Sequence, residues 1–237
     1  MKLWAAIDLM GGSVVTLVKG EAGEKTVWKE SPLEFAKRWQ QEGADGLHIV
    51  DLDAALGTGS NRGVVKGIVG ESRVPVQVGG GIRSFEAAEG WLEDGAARVV
   101  LGTLPYRDPE AARSLLRARG SDSVVVTADY KGGTIVTRGW RESEGIPVVA
   151  GAKRLEEQGF RNLLATAVDR DGTGSGPDID AIRELGRAVR MRVMASGGIR
   201  DSEDLLALKR AGADGAVIGK ALYEGTVELG EAKRRVA

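Results

Sequence analysis

The chain contains no cysteine, a single histidine (His48) and few aromatic residues, 5% of its 237 positions. Without cysteine there are no disulfides, thiolate metal sites or cysteine nucleophiles. One histidine excludes multi-histidine metal centres and leaves little room for a Ser-His triad. Carboxylates therefore remain as the main acid/base candidates. No apolar run approaches the roughly eighteen residues of a membrane span, and Met1-Lys2-Leu3-Trp4 enters a strand pattern rather than a secretory leader. A cytoplasmic protein without membrane attachment is the expectation. An excess of one charge sign is also missing: 33 Lys and Arg stand against 34 Asp and Glu, without a block of either. That balance offers no electrostatic footprint for nucleic acid. With 42% apolar and 28% charged residues, the composition is that of an ordinary globular chain.

What is present is a repeat. Residues 80 to 106 return 117 positions later without insertion or deletion, from Gly80-Gly81-Ile82-Arg83 and Gly197-Gly198-Ile199-Arg200 through to Tyr106 and Tyr223, with ten identities in twenty-seven positions. Val50-Asp51-Leu52-Asp53 is echoed by Val168-Asp169-Arg170-Asp171 at an offset of 118, and Asp8, Gly11 and Gly12 by Asp129, Gly132 and Gly133 at 121. Repeats of half the chain imply internal two-fold symmetry rather than a solenoid.

Short apolar runs alternate with segments of helical period, the pattern of repeated βα units. The pattern predicts strands near 3–8, 46–52, 74–79, 98–102, 124–129, 162–168, 192–196 and 215–219. It predicts helices near 33–43, 61–70, 84–94, 108–118, 146–158, 178–189, 201–211 and 225–235. Small hairpins are expected after the first and fifth strands, at Gly11-Gly12 and Gly132-Gly133. Eight units and a half-chain repeat fit a single closed (β/α)₈ TIM barrel of α/β class over residues 1–237 better than an open doubly wound sheet. Its half-barrels would span approximately 1–120 and 121–237.

In such barrels the carboxyl ends of the strands carry the active site, and the loops after strands seven and eight commonly hold phosphate. Ser196, Gly197 and Gly198 end the seventh strand, and Gly219 and Lys220 the eighth. The repeat supplies a second cradle from Gly80, Gly81 and Arg83 after the third strand and from Gly102 and Thr103 after the fourth. Glycine lets backbone N–H groups approach an anion closely. Two cradles imply a small molecule with two phosphates. Asp8 and Asp129 end the first and fifth strands and would face each other between the cradles, ready to divide acid and base roles. Asp171 with Thr166 forms a secondary set able to hold the substrate or exchange protons. Asp51 and Asp53 read as loop-organising groups, and His48 as a packing residue.

The chain resembles the (β/α)₈ phosphoribosyl isomerases of histidine biosynthesis. The resemblance rests on Ala6-Ile7-Asp8-Leu9, VGGGIRS at 78–84, VLGT at 100–103, RGW at 138–140, DRDGTGSGPD at 169–178, ASGGIR at 195–200 and VIGKALYEG at 217–225, in that order. It implies a bisphosphorylated substrate, N′-(5′-phosphoribosyl)-formimino-5-aminoimidazole-4-carboxamide ribonucleotide (ProFAR), whose aminoaldose end becomes an aminoketose by a cofactor-free Amadori rearrangement. By the family pattern Asp8 is the general base and Asp129 the general acid, with Asp171 a rival acid. Thr166 holds substrate or orients a carboxylate, Arg138 joins the substrate-binding residues, and Trp140 is either a stacking surface for the aminoimidazole or a loop anchor.

The chain departs from that pattern at Thr16-Leu17-Val18, where relatives usually carry Arg-Leu-Val; Lys19 is a candidate substitute cation without bidentate geometry. Gly20-Glu21-Ala22-Gly23 and the stretch from Leu52 to Arg62 resemble a bifunctional subgroup that also isomerises phosphoribosylanthranilate, against which the missing arginine argues. The cyclase subunit of imidazole glycerol phosphate synthase shares the cradles but typically carries Cys-Leu-Asp and GGAG, unlike this chain. A non-catalytic phosphate-sugar binding barrel completes the alternatives. A monomer is expected.

Overall fold

The computed structural model describes residues 1–237, apart from the side chain of Ala22. Eight parallel strands form the barrel: β1 (Lys2–Met10), β2 (Gly46–Asp51), β3 (Val76–Gly79), β4 (Arg98–Leu101), β5 (Val124–Thr127), β6 (Asn162–Thr166), β7 (Arg192–Ser196) and β8 (Gly215–Ile218). Each pairs with the next, and β8 pairs back onto β1 through Lys2↔Gly215 to Ala5↔Ile218, which closes the sheet. Around it run α1 (Pro32–Gln41), α2 (Arg62–Glu71), α3 (Phe85–Glu93), α4 (Pro109–Arg119), α5 (Val148–Glu157), α6 (Ile179–Ala188), α7 (Ser202–Ala211) and α8 (Leu229–Val236).

Helix starts follow local chemistry. Ser31 and Glu34 exchange side chain-to-backbone hydrogen bonds as a capping box before Pro32. Asp108 caps α4 ahead of Pro109, and Asp201 caps α7 by accepting from the Glu203 and Asp204 N–H groups. Such caps satisfy donors that the helix itself leaves unpaired.

The core has two layers. Between strands and helices lies the larger one, with Leu3, Ile7, Leu47, Ile49, Leu101 and Leu163 fully buried. Inside the barrel, Trp4, Ala6, Val100, Val125, Leu164, Met194 and Val217 fill the lumen. It is a plug, not a pore. The plug needs glycine beside it: a Cβ on Gly46 would stand 2.3 Å from the Trp4 ring. Arg98 closes the lower end, its guanidinium 5.1 Å from the Trp4 ring centroid.

The strand and helix positions agree with the sequence expectation, but the loop insertions are larger than expected. After β1 come two strands, Ser13–Val18 and Glu21–Val27, where one hairpin arm was anticipated. After β5, Tyr130–Lys131, Thr134–Thr137 and Glu142–Pro147 form a three-stranded sheet of their own. Helix α8 starts later than expected. The segment before it is a separate turn, Lys220–Tyr223, broken from α8 at Gly225, whose φ is 71°. No helix among the described residues is long and apolar enough to cross a membrane.

Candidate active site

Two adjoining cavities open at the carboxyl end of the barrel. One, about 420 Å³, is lined by Ser196, Gly197, Gly198, Arg200, Gly219 and Lys220, together with Asp8 and Asp171. The other, about 190 Å³, is lined by Gly80, Gly81, Arg83, Gly102, Thr103 and Arg138, together with Asp8, Asp129 and Asp171. Thr166, Trp140 and His48 border both. Every residue singled out from the sequence as a site residue, the candidate cation Lys19 excepted, therefore lines one cavity or both. The two glycine-and-cation cradles lie on opposite sides, and the carboxylates stand between them.

The aspartates reach this place by different routes. Asp8 lies in β1, paired with Val50 of β2 on one side and Val15 of the first insertion on the other. Asp129 follows the end of β5, and its carbonyl accepts from the Val136 N–H at 2.8 Å, tying it to the fifth-loop sheet. Asp171 follows a 3₁₀ turn, Val168–Arg170, after β6. Its carbonyl accepts from the Lys19 N–H at 2.9 Å, so the first insertion is fastened to the sixth loop.

Burial sets their proton affinities. Desolvation, then the neighbouring Asp171 charge, pushes Asp8 up to about 7. Asp171 is likewise pushed up to about 7, by desolvation and then by Asp129. Asp129 is raised too, chiefly by desolvation, but hydrogen bonds from Trp140, Thr166 and Thr127 oppose the rise. Two close carboxyls with proton affinities near neutrality titrate as a pair, one able to be ionised while the other keeps its proton. That is the equipment for taking a proton and giving one in the same mouth.

The two cradles are not equal in their free cations. Arg83 spends one donor on the Ala55 carbonyl at 2.8 Å, and Arg138 pairs with Glu142 at 3.3 Å; both are exposed at the rim. Arg200 is committed to Asp204 by two parallel hydrogen bonds of 2.9 and 2.7 Å. Lys220 reaches the Gly172 carbonyl at 3.1 Å. The glycines serve packing as well as access. A Cβ on Gly80 would stand 2.2 Å from the Asp51 carbonyl oxygen, and one on Gly197 2.6 Å from that of Ala167, both at φ above 90°. Gly102 and Gly219 have more room, with nearest atoms at 3.3 and 3.8 Å.

Asp51 and Asp53 organise loops, as expected. Asn61, buried with Asp51, donates to both carboxylates at 2.8 Å and accepts from the Gly12 N–H at 2.8 Å, while Asp53 accepts from the Gly11 N–H at 2.6 Å. The network pins the turn that leaves the Asp8 strand. The counterpart after β5 is Asp169, which accepts from the Gly132 N–H at 2.7 Å.

His48 is buried, as the sequence predicts for a packing residue, and it also borders both cavities. Its Nδ1 faces the Gln77 amide nitrogen at 2.9 Å, which makes Nδ1 the acceptor and leaves the proton on Nε2. Burial lowers it to about 4, so it stays neutral. The repeat carried a signal for it: the offset of 118 superposes His48 on Thr166. Lys19 does not replace the arginine missing at Thr16, since Thr16 lines the larger cavity and Lys19 is exposed outside both.

The family model described as "Histidine biosynthesis protein" matches residues 2–228. Relatives named 1-(5-phosphoribosyl)-5-((5-phosphoribosylamino)methylideneamino) imidazole-4-carboxamide isomerase include one from Cenarchaeum symbiosum (strain A), 45% identical over 229 residues and 97% of both chains. Another, from Nitrosopumilus maritimus (strain SCM1), is 40% identical over all of both chains, and one from Dinoroseobacter shibae (strain DSM 16493 / NCIMB 14021 / DFL 12) is 42% identical over 98% of both. A match over nearly the whole length shows that this chain belongs to the histidine-biosynthesis protein family.

Proposed function

We propose that the chain isomerises ProFAR, the substrate in its relatives' name, from aminoaldose to aminoketose. The observation that carries this reading is that Asp8 and Asp171, both with proton affinities near neutrality, line both of the adjoining cavities that hold the two glycine-and-cation cradles. A ligand with a phosphate at each end, held in both cradles, places its middle against acid and base.

The reaction begins with a proton given to the ribose ring oxygen, which breaks the C1–O bond and leaves a protonated Schiff base. Asp8 then takes the proton from C2, giving an enolamine. Return of a proton to C1 and loss of the C2 hydroxyl proton yield the ketone, so C1 is reduced as C2 is oxidised and no outside electron carrier is needed. Asp129 supplies the first proton in this reading. A second assignment, Asp171 as the acid, is favoured by the donors that hold Asp129 down and do not touch Asp171. Neutral His48 presents an Nε2–H donor on the wall common to both cavities.

Both cradles and all three aspartates come from one chain, which supports a site for a small molecule that is complete without a partner subunit. The test is an assay of purified protein on ProFAR and phosphoribosylanthranilate in parallel. Turnover of ProFAR is expected, with little on the anthranilate because the larger cavity has no cation at Thr16 to meet its carboxylate. No turnover of ProFAR overturns the reading.

A further inference from the structure

The half-barrels meet at two seams, β8 against β1 and β4 against β5. At one, the ladder ends with Ala5↔Ile218; at the other, with Leu101↔Val126. These are the same pair under the repeat. The next carbonyl along each crossing strand, on Ala6 and on Thr127, lies beyond the last ladder pair. Each accepts instead from a tyrosine hydroxyl. Tyr223 donates to Ala6 O at 2.7 Å, and Tyr106 donates to Thr127 O at 3.0 Å. Both tyrosines sit at the far end of the segment that begins with a phosphate-cradle glycine, Gly219 for one and Gly102 for the other. Both carbonyls lie two residues before an aspartate of the mouth, Asp8 and Asp129 respectively.

We propose that Tyr223 and Tyr106 are positioning residues, each coupling occupancy of the phosphate cradle on one half-barrel to the placement of the aspartate on the other. The proposal deepens the isomerase reading and rests on it. A phosphate that orders Gly219–Lys220 fixes the turn Lys220–Tyr223, whose hydroxyl anchors the strand at Ala6 and so sets Asp8. The same sequence of contacts runs from Gly102–Thr103 through Tyr106 to Asp129. Binding energy from a remote phosphate is thereby spent on orienting the reacting groups. Burial raises the proton affinity of both hydroxyls, so each remains a donor at any working pH. The seams differ in stiffness. The Tyr223 ring stacks on Trp28 at 5.1 Å and meets Phe35 and Trp39 edge-on at 4.9 and 5.4 Å, whereas Tyr106 has no aromatic partner among the described residues.

Phenylalanine keeps each ring and removes only the hydroxyl. The experiment measures kcat and KM of wild type, Tyr223→Phe and Tyr106→Phe on ProFAR and on its two analogues lacking one phosphate. Wild type is expected to lose about tenfold in kcat, not KM alone, for each missing phosphate. Each variant is expected to lose about tenfold in kcat on ProFAR with KM nearly unchanged, and then to lose no more when the phosphate of its own seam is removed. Losses that simply multiply would overturn the coupling. A measurement on unaltered protein stands beside it: saturating inorganic phosphate is expected to slow amide hydrogen exchange over Ala6–Asp8 and Thr127–Asp129, and unchanged exchange there contradicts the proposal. Wild type inactive on ProFAR sinks the isomerase reading instead, a result separate from either outcome of the exchange measurement.

Discussion

The indole N–H of Trp140 donates to Oδ2 of Asp129 across 2.9 Å. The contact stabilises the ionised carboxylate, whereas an acid catalyst must hold its proton. Trp140 keeps this place by packing on Gly20, where a Cβ would come within 2.5 Å of the indole. Trp140→Phe keeps an aromatic six-membered ring at this position and removes the donor. The proton affinity of Asp129 should then rise, and the descending limb of kcat/KM against pH should move upward. A limb that stays in place assigns the acid role to Asp171.

Asp171→Asn removes the charge that, after desolvation, raises Asp8. The affinity of Asp8 for its proton should fall, so the ascending limb of the profile moves to lower pH. The measurement is again kcat/KM across pH, and an unmoved ascending limb would show that Asp8 is not the base it reports.

Keeping these carboxyls buried costs stability. Below about pH 4 Asp8 is protonated whether the chain is folded or not; as pH rises the unfolded chain ionises first, because the folded carboxyl is held up to about 7. The penalty grows between those values and is constant above them. Asp8→Asn should therefore stabilise the protein by about 1–3 kcal/mol at pH 8 and by almost nothing at pH 4, read by urea denaturation at both. Turnover should fall about a thousandfold.

The sequence made most of this architecture readable because the chemistry repeats. Half-chain register pointed to paired glycine loops and to aspartates at matching strand ends, and the βα periodicity placed each of the eight strands within a few residues of its observed position. Less was readable where a residue's role depends on what lies across the mouth. His48 looks like any buried strand residue until its neighbour Gln77 fixes the tautomer. Trp140 offers no local sign that it will bond to Asp129, eleven residues back along a folded loop. The second strands of the loop insertions were missed because Glu21–Val27 is almost wholly exposed and has no apolar face to announce it.

Gly80 also carried a meaning the sequence hid. The sequence pattern predicts access for an anion there, but the Asp51 carbonyl already occupies the space a Cβ needs. Gly80→Ala should cost more than about 2 kcal/mol with no phosphate present, while Gly102→Ala, with 3.3 Å of clearance, should cost well under that. Thermal melts of the two variants without ligand check the contrast.

Isomerisation in this mouth requires one doubly phosphorylated sugar to span both cradles with its reactive carbons at the aspartates. The most direct measurement is a crystal structure of Asp8→Asn, slow enough to retain ProFAR. One phosphate is expected at Gly81 and Thr103, the other at Gly198 and Lys220, and the C2 carbon beside residue 8. Either phosphate bound away from these glycine loops, or C2 turned from residue 8, would contradict it.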